Sequence, residues 1–438
     1  MKLNTKRTVL VGFAFFLICA FWGAYEPIVP LILKDKFEMS NTWSGVIMAL
    51  DNVFAVFMLP IFGAMSDKFR SKYGKRTPFI FFGTIFGAVF LALLGVADQL
   101  WLFIVILLAA LVSMAVFRSP AVALMPDVTP KPLRSKGNAV INLMGTAGGI
   151  VALGLAALFK TSTPGKTDFF LYLLAVSVLM IAALVVFMLT VKEPLWSAEA
   201  EEINKKIDEE AEAELAAEEK FAENGENDRP KGKLSGAERI SLILILASVV
   251  LWFTGYNAVT SKYSVYARDV LGVDHNTTLL VAQAAAVISY IPVGILSSKF
   301  GRKRAILAGI IMLTAAFTAA AFITKETPGF VMYILFSLAG IGWATINVNS
   351  FPMVVELARH GDTGRYTGYY YTASMAAQIV TPILSGFLID HLPAGWAIFF
   401  PYAAIFTALS FVTMLFVRHG DSKPEEKQSI LEHLDVED

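Results

Sequence analysis

The stretch Gly63-Ala-Met-Ser-Asp67-Lys68-Phe-Arg70-Ser-Lys72-Tyr-Gly74-Lys75-Arg76-Thr-Pro78-Phe-Ile80 decides how the rest of the chain is read. An apolar run from Asp51 to Met65 leads into it, and another opens at Pro78. Two greasy segments joined by a short, glycine-bearing, strongly cationic turn mark a cytoplasmic loop of a membrane protein, because Lys and Arg resist transfer across the bilayer. The pattern returns as Gly294-Ile-Leu-Ser-Ser298-Lys299-Phe-Gly301-Arg302-Lys303-Arg304. A device that recurs once in each half makes the chain two related halves.

Composition supports this. The chain has 438 residues, 56% of them hydrophobic and 16% charged, with a mean hydropathy of +0.62. That excludes an ordinary soluble protein. The apolar runs are close to the length that spans the hydrocarbon core as helix, and they do not alternate as barrel strands do. The expected class is therefore an all-α membrane protein. A net charge of zero gives no reason to expect nucleic acid as a partner. The single cysteine, Cys19, lies in the first apolar run and allows no intramolecular disulfide or metal cluster. Lys2 to Arg7 before Thr8 to Ala20 mimics a signal peptide, but the run continues to Leu33 with no small-residue cleavage site, so a retained first span is expected.

Twelve spans are expected, at about 8–33, 42–66, 78–97, 100–125, 136–159, 168–191, 238–260, 276–298, 303–323, 329–356, 366–390 and 394–417. Lys and Arg concentrate in the loops after spans 2, 4, 8 and 10, which puts both termini in the cytoplasm. The expected organisation is a six-helix bundle over 1–191, a charged linker over 192–237, a second six-helix bundle over 238–418 and a tail over 419–438. The linker reads as a solvated segment, partly helical on the membrane surface. The halves also match where Pro120 precedes Arg134-Ser-Lys-Gly137 and Pro352 precedes Arg365-Tyr-Thr-Gly368. Six spans, a linker and six spans is a two-bundle architecture with the substrate site near mid-membrane.

These residues bring a family into view. Over nearly its whole length the chain resembles the major facilitator superfamily. Gly63-x-x-Ser-Asp67, six residues, then Gly74-Lys75-Arg76-x-Pro78-Phe-Ile resembles the sucrose:proton symporters and their animal relatives, and is similar to the glycoside–pentoside–hexuronide:cation symporters. The superfamily's common loop has a shorter gap between Asp and Gly, as the second copy does here. The resemblance implies sugar uptake coupled to a cation. It departs at one place: sucrose symporters carry an Arg soon after the span 4 proline, whereas this chain has Val122, and Arg118 stands one turn earlier on the same face.

An ionisable group inside a span costs roughly 2.5–3.5 kcal/mol on insertion scales, so each asks for a reason. Glu26, in Trp22-Gly-Ala-Tyr25-Glu26-Pro-Ile-Val-Pro30, is the expected proton site, on a helix locally broken at its prolines. Arg118, deep in span 4, is its expected partner. Asp51, at the outer end of span 2, is a further coupling candidate. Ala55 and Leu59 stand where the sodium-using relatives carry span 2 acids, so protons rather than Na⁺ are expected to drive transport. Asp67, Arg76, Asp127 and Arg134 are expected to form salt bridges that hold the inward gate shut, with Glu356 and Arg365 as their counterpart in the second half. A sugar asks for flat rings and amides that both donate and accept. Trp22, Tyr25, Asn142, Trp252, Tyr256, Asn257, Gln283, Tyr290, Asn347, Asn349 and Gln378 supply them, and their lack of basic groups argues against phosphorylated or carboxylate substrates.

The sequence holds no phosphate loop, which excludes an ATP-driven pump. The five histidines lie near or beyond helix ends, and no catalytic cluster is seen, so neither an enzyme nor a cofactor or metal is expected. The expected function is proton-coupled symport of a neutral sugar, di- or oligosaccharide favoured. The rival classes are proton-antiport efflux of drugs or other small molecules and a sugar sensor that does not transport. The expected partners are a small sugar, a proton and the lipid bilayer. The expected location is a bacterial inner membrane, with the chain multi-pass and monomeric.

Overall fold

The computed structural model describes residues 3–221, 235–357 and 363–420. These residues are helical almost throughout and contain no strand. The helices are α1 (Thr5–Asp35), α2 (Asn41–Lys68), α3 (Thr77–Leu94), α4 (Leu100–Val128), α5 (Arg134–Leu158), α6 (Phe170–Thr190) and α7 (Glu193–Phe221). After the gap come α8 (Gly236–Val265), α9 (His275–Phe300), α10 (Arg302–Ala320), α11 (Phe330–Val355), α12 (Thr363–His391) and α13 (Phe399–Leu415). Eleven helices among the described residues are long and apolar enough to cross a membrane. A further helix of 26 residues, α9, occupies the stretch where the eighth span is expected. The all-α membrane architecture read from the sequence is the one found. Residues 222–234 of the expected linker, and the expected tail beyond Gly420, lie outside the described residues, as do His360 and His433.

Local chemistry sets the helix ends. Asn4 caps α1 by accepting from the Arg7 N–H (3.1 Å), and Ser40 caps α2 by accepting from Trp43 (3.4 Å). Pro78 sits in the first turn of α3, where its missing N–H is not needed. One expectation fails. α1 runs unbroken through Pro27 and Pro30. Neighbouring helices let a spanning helix tolerate proline, so a proline pair need not open it.

The chain divides into two compact units, residues 1–230 with 260–280, and residues 231–259 with 281–438. In the first, a Cβ on Gly148 of α5 would stand 2.3 Å from the Phe16 carbonyl oxygen of α1. In the second, a Cβ on Gly340 of α11 would stand 2.2 Å from the Ala282 carbonyl oxygen of α9. Both crossings exist only because the residue is glycine, which is how spanning helices approach closely without a hydrophobic drive between them. Large apolar side chains such as Phe57, Leu189 and Ile334 are exposed. On spanning helices such a surface belongs against lipid.

Candidate functional site

In the first unit, α1, α2 and α4 bring Glu26, Asp51 and Arg118 together. Glu26 is within electrostatic reach of both Asp51 and Arg118, and Asp51 of Arg118. The Arg118 guanidinium carbon lies 5.8 Å from the centre of the Trp22 ring. Among the described residues Arg118 makes no ion pair or hydrogen bond, so the expected direct Glu26–Arg118 pair is replaced by proximity and a ring contact. Glu26 is surface-accessible between buried Tyr25 and Pro27. Asp51 accepts from the Asn52 N–H (2.5 Å) and Nδ2 (2.7 Å). It lines one small cavity with Trp22, Ala55, Leu59 and Arg118. Asp51 stands about 15 Å along α2, which begins at Asn41. The cavity holds about 10 Å³, room for one water at most. Trp22 Nε1 and Tyr25 Oη are buried donors without a partner among the described residues.

The second unit holds most of the expected sugar contacts. Tyr256 lies flat on Trp343, with ring centres 3.7 Å apart and planes 3° from parallel. Phe253 meets the same Trp343 edge-on at 5.1 Å. Sequence reading missed Trp343; the available signal was its place one turn before Asn347, on the same helical face. Trp252 Nε1 and Gln283 Oε1 are buried without partners among the described residues. Three amides spend a donor on their own helix: Asn257 on Phe253 O (2.8 Å), Asn349 on Thr345 O (2.8 Å) and Gln378 on Ser374 O (3.3 Å). Asn347 is half-buried, Tyr290 is exposed, and Asn142 is exposed on α5 of the first unit.

At the α2–α3 turn the expected charges meet, with one addition and one departure. Arg76, almost fully buried, donates through Nε to Asp127 (2.8 Å), and also to Asp67 and Ser66 Oγ. Lys75 Nζ stands 3.2 Å from Asp127. The addition is Glu193, the first residue of α7, 1% exposed. Its carboxylate accepts from the backbone N–H of Lys75 (2.8 Å), Arg76 (2.8 Å) and Thr77 (2.7 Å) and from the Thr77 hydroxyl (2.7 Å). It thereby caps the N-terminus of α3, where free N–H groups and the helix dipole favour an anion. Gly74, at φ +108°, makes this possible, since a Cβ there would sit 2.3 Å from Glu193 Cδ. The departure is Arg134, which donates to the carbonyls of Pro126 (2.9 Å) and Thr129 (3.3 Å) at the end of α4 and, among the described residues, joins no carboxylate. In the second unit Glu356 pairs with Arg302, and Arg365 Nε donates to Tyr369 Oη (2.6 Å), so the expected Glu356–Arg365 pair is not the one formed. With Gly74 matched to Gly301, Arg302 with Glu356 in the second half answers Lys75 with Asp127 in the first.

The start of the expected solvated linker is docked. Trp196 is buried under the Arg7 guanidinium (5.3 Å), Arg7 pairs with Glu199, and Asn204 Oδ1 accepts from the Lys131 N–H (2.8 Å). Glu193, Trp196, Ala200 and Ile203 recur at helical spacing, a legible face in a segment whose acid content hid it.

On the first unit's other side, segment 260–280 is held by buried polar groups. Arg268 forks onto Asp35 (2.5 and 2.7 Å), and Lys34 pairs with Asp269. Asn276, within the sequon Asn276-Thr-Thr278, is buried and donates to Thr161 and Ser162 hydroxyls (2.8 Å each), so the folded chain cannot be glycosylated there. Burial alone would raise the Asp274 pKa, but the Ser162 and Thr277 hydroxyls and the Thr277 and Asn276 N–H groups hold it below the usual carboxylate range.

Comparison with known proteins agrees with this architecture. An uncharacterized MFS-type transporter of Methanocaldococcus jannaschii is 24% identical over 424 residues, covering 94% of this chain and 95% of that one. The inward-open xylose transporter XylE of E. coli is similar in fold (TM-score 0.70, 13% identity, 96% of this chain and 98% of that one). So is the nucleoside transporter NupG (TM-score 0.66, 15% identity, 94% and 100%). The Major Facilitator Superfamily profile matches residues 11–288 and 276–435, and with the repeated cationic turn in each half this places the chain in that superfamily of membrane transporters.

Proposed function

We propose that the chain carries a neutral sugar, preferably a di- or oligosaccharide, together with a proton, by alternating access, as its resemblance to the sucrose and glycoside–pentoside–hexuronide symporters implies. The observation that carries the reading is Arg118. It is a spanning-helix guanidinium with a ring contact but no ion pair or hydrogen bond among the described residues, within reach of two carboxylates. Its donors are free for sugar hydroxyls. Once sugar engages them, less of the guanidinium's charge is left to offset Glu26 and Asp51, so a proton on one carboxylate and a sugar on Arg118 favour one another, and linkage makes the effect reciprocal. The Tyr256–Trp343 platform supports the reading, because sugars cover flat rings with their C–H faces.

A proton needs one carboxyl, whereas Na⁺ needs several converging oxygens. At this site Asp51 and Asn52 are already bonded to each other, a cation already stands beside them, and Ala55 and Leu59 offer no oxygen. In this reading both termini are cytoplasmic, the chain is a multi-pass monomer of the inner membrane, and the Asp67–Arg76–Asp127 and Arg302–Glu356 groups hold the cytoplasmic gate. A second reading, proton-antiport efflux, is favoured by the site's two carboxylates to one guanidinium, a balance that suits a cationic substrate. Uptake of labelled mono- and disaccharides into proteoliposomes, at two pH values and with or without Na⁺, separates the readings. Proton-driven accumulation of a sugar supports symport; accumulation that follows a Na⁺ gradient at constant pH, or no sugar uptake together with proton-driven extrusion of cationic compounds, refutes it.

A further inference from the structure

The two copies of the cationic turn are not equal in length. Asp67-Lys68-Phe69 aligns with Ser298-Lys299-Phe300, and Gly74 aligns with Gly301. The four residues Arg70-Ser-Lys72-Tyr73 have no counterpart in the second copy. We infer that this insert makes the tip of the α2–α3 turn a binding site for anionic phospholipid headgroups of the adjacent leaflet.

The cations of the turn fall into two sets. Lys75 and Arg76 are committed to Asp127 and Asp67. Lys68, Arg70 and Lys72 are exposed, and among the described residues none of them has an acidic partner. Lys72 instead stands over the Tyr73 ring at 4.9 Å. Two large rings share the tip with these charges: Phe69 is 43% and Tyr73 55% exposed. Phe69 meets Phe79 edge-on at 5.4 Å, which ties the tip to the first turn of α3.

A cationic loop that only fixes topology needs charge and gains nothing from exposed aromatics. Rings beside uncommitted Lys and Arg are the combination that suits the headgroup layer, where aromatics sit at the interface and each cation is drawn to anionic lipid. The tip is also shaped. Ser71 Oγ donates to the Gly74 carbonyl (2.6 Å) and accepts from the Tyr73 N–H (3.2 Å), and the Gly74 N–H donates to the Ser71 carbonyl (3.1 Å). Glu193 fixes the far side of the same turn through the Lys75, Arg76 and Thr77 amides. Lipid bound at the tip would therefore bear on the turn that carries Arg76. The inference rests on the membrane placement of α2 and α3, not on the identity of the transported substrate.

The test uses the full chain in nanodiscs of equimolar phosphatidylglycerol and phosphatidylcholine, with the lipids retained on the protein counted by native mass spectrometry. A cation near an anionic surface is worth about five-fold in binding, so removing three sets a ceiling on the order of 100-fold. Lys68→Gln/Arg70→Gln/Lys72→Gln is expected to lower phosphatidylglycerol enrichment at least five-fold. The control Lys299→Gln/Arg304→Gln, in the turn without the insert, is expected to leave it unchanged. A smaller loss in the triple variant overturns the proposal, and so does an equal loss in the control. On the unmodified protein, enrichment should fall as salt is raised and should resist millimolar inorganic phosphate. Displacement by phosphate would mark a free-anion site and also overturn the proposal, whether or not the triple variant folds.

Discussion

Replacing Glu193 by Ala should loosen the start of α3 more than any other single change in the segment after α6. Glu193 is buried, and its two oxygens take three backbone N–H groups and one hydroxyl at 2.7–2.8 Å. Orphaning a buried donor costs about 1–3 kcal/mol, and losing a helix cap typically about 1 kcal/mol. Water entering the vacated space would satisfy part of the set, so the low end of the sum applies, about 3 kcal/mol. Glu193→Gln keeps one carbonyl oxygen but turns an amide N–H toward a donor, and about 1–2 kcal/mol is expected. The readout is amide hydrogen exchange at Lys75, Arg76 and Thr77. For local opening, about 3 kcal/mol corresponds to exchange faster by on the order of 100-fold in Glu193→Ala. Exchange within three-fold of the unsubstituted protein would show that the carboxylate caps nothing of consequence.

Gly74→Ala should produce the same loosening by another route, since φ +108° disfavours a side chain and its Cβ would collide with Glu193 Cδ; normal thermal stability in that variant would contradict the packing. Arg76→Gln should cut transport at least ten-fold while equilibrium substrate binding stays within two-fold, and Arg76→Lys should not rescue it, because an ammonium cannot serve Asp67, Ser66 and Asp127 in Arg's fork geometry; a large loss of binding would move Arg76 into the substrate site. Glu26→Gln should abolish proton-driven accumulation and spare exchange down a gradient, and unchanged accumulation would remove Glu26 from coupling. The Asp274 pKa is depressed in the folded chain, so its stabilisation is fully present above the unfolded value and is lost only as pH falls through the folded one. Protection of the Asn276 and Thr277 amides, corrected for intrinsic exchange, should therefore be flat from pH 5 to 8, and a ten-fold change across that window would contradict the assignment.

The fold was legible because it is written in features that survive without contacts: run length, cation placement and the repeat. The site was legible only by residue type. Glu26 and Arg118 could be singled out because a charge inside an apolar run stands out against its neighbours. Asp51 read as an outer-end acid because the charge opens an apolar stretch, and only the packing of α1, α2 and α4 shows it lining one cavity with Trp22 and Arg118. Glu193 and Trp196 were missed for the opposite reason. An acid at the head of an acidic segment does not stand out, and burial is a property of the docked helix. The Glu356–Arg365 pairing failed because the groups near one helix end look interchangeable in sequence, while geometry gave Arg302 to Glu356 and Tyr369 to Arg365.

The repeat itself shows how the halves have diverged. Each sets the cation that follows its turn glycine against an acid at the end of the fourth helix of its half, Lys75 with Asp127 and Arg302 with Glu356. Around that shared pair, the first unit adds Asp67 and a carboxylate, Glu193, delivered from outside the six spans. The second unit has Ser298 where Asp67 stands, and its Lys303 donates to the Leu415 (2.9 Å) and Val417 (2.7 Å) carbonyls at the end of α13. Charge-assisted bonds to a carboxylate are stronger than bonds to neutral carbonyls. In the first unit the turn's Arg76 is accordingly held by carboxylates on two sides, Asp67 and Asp127.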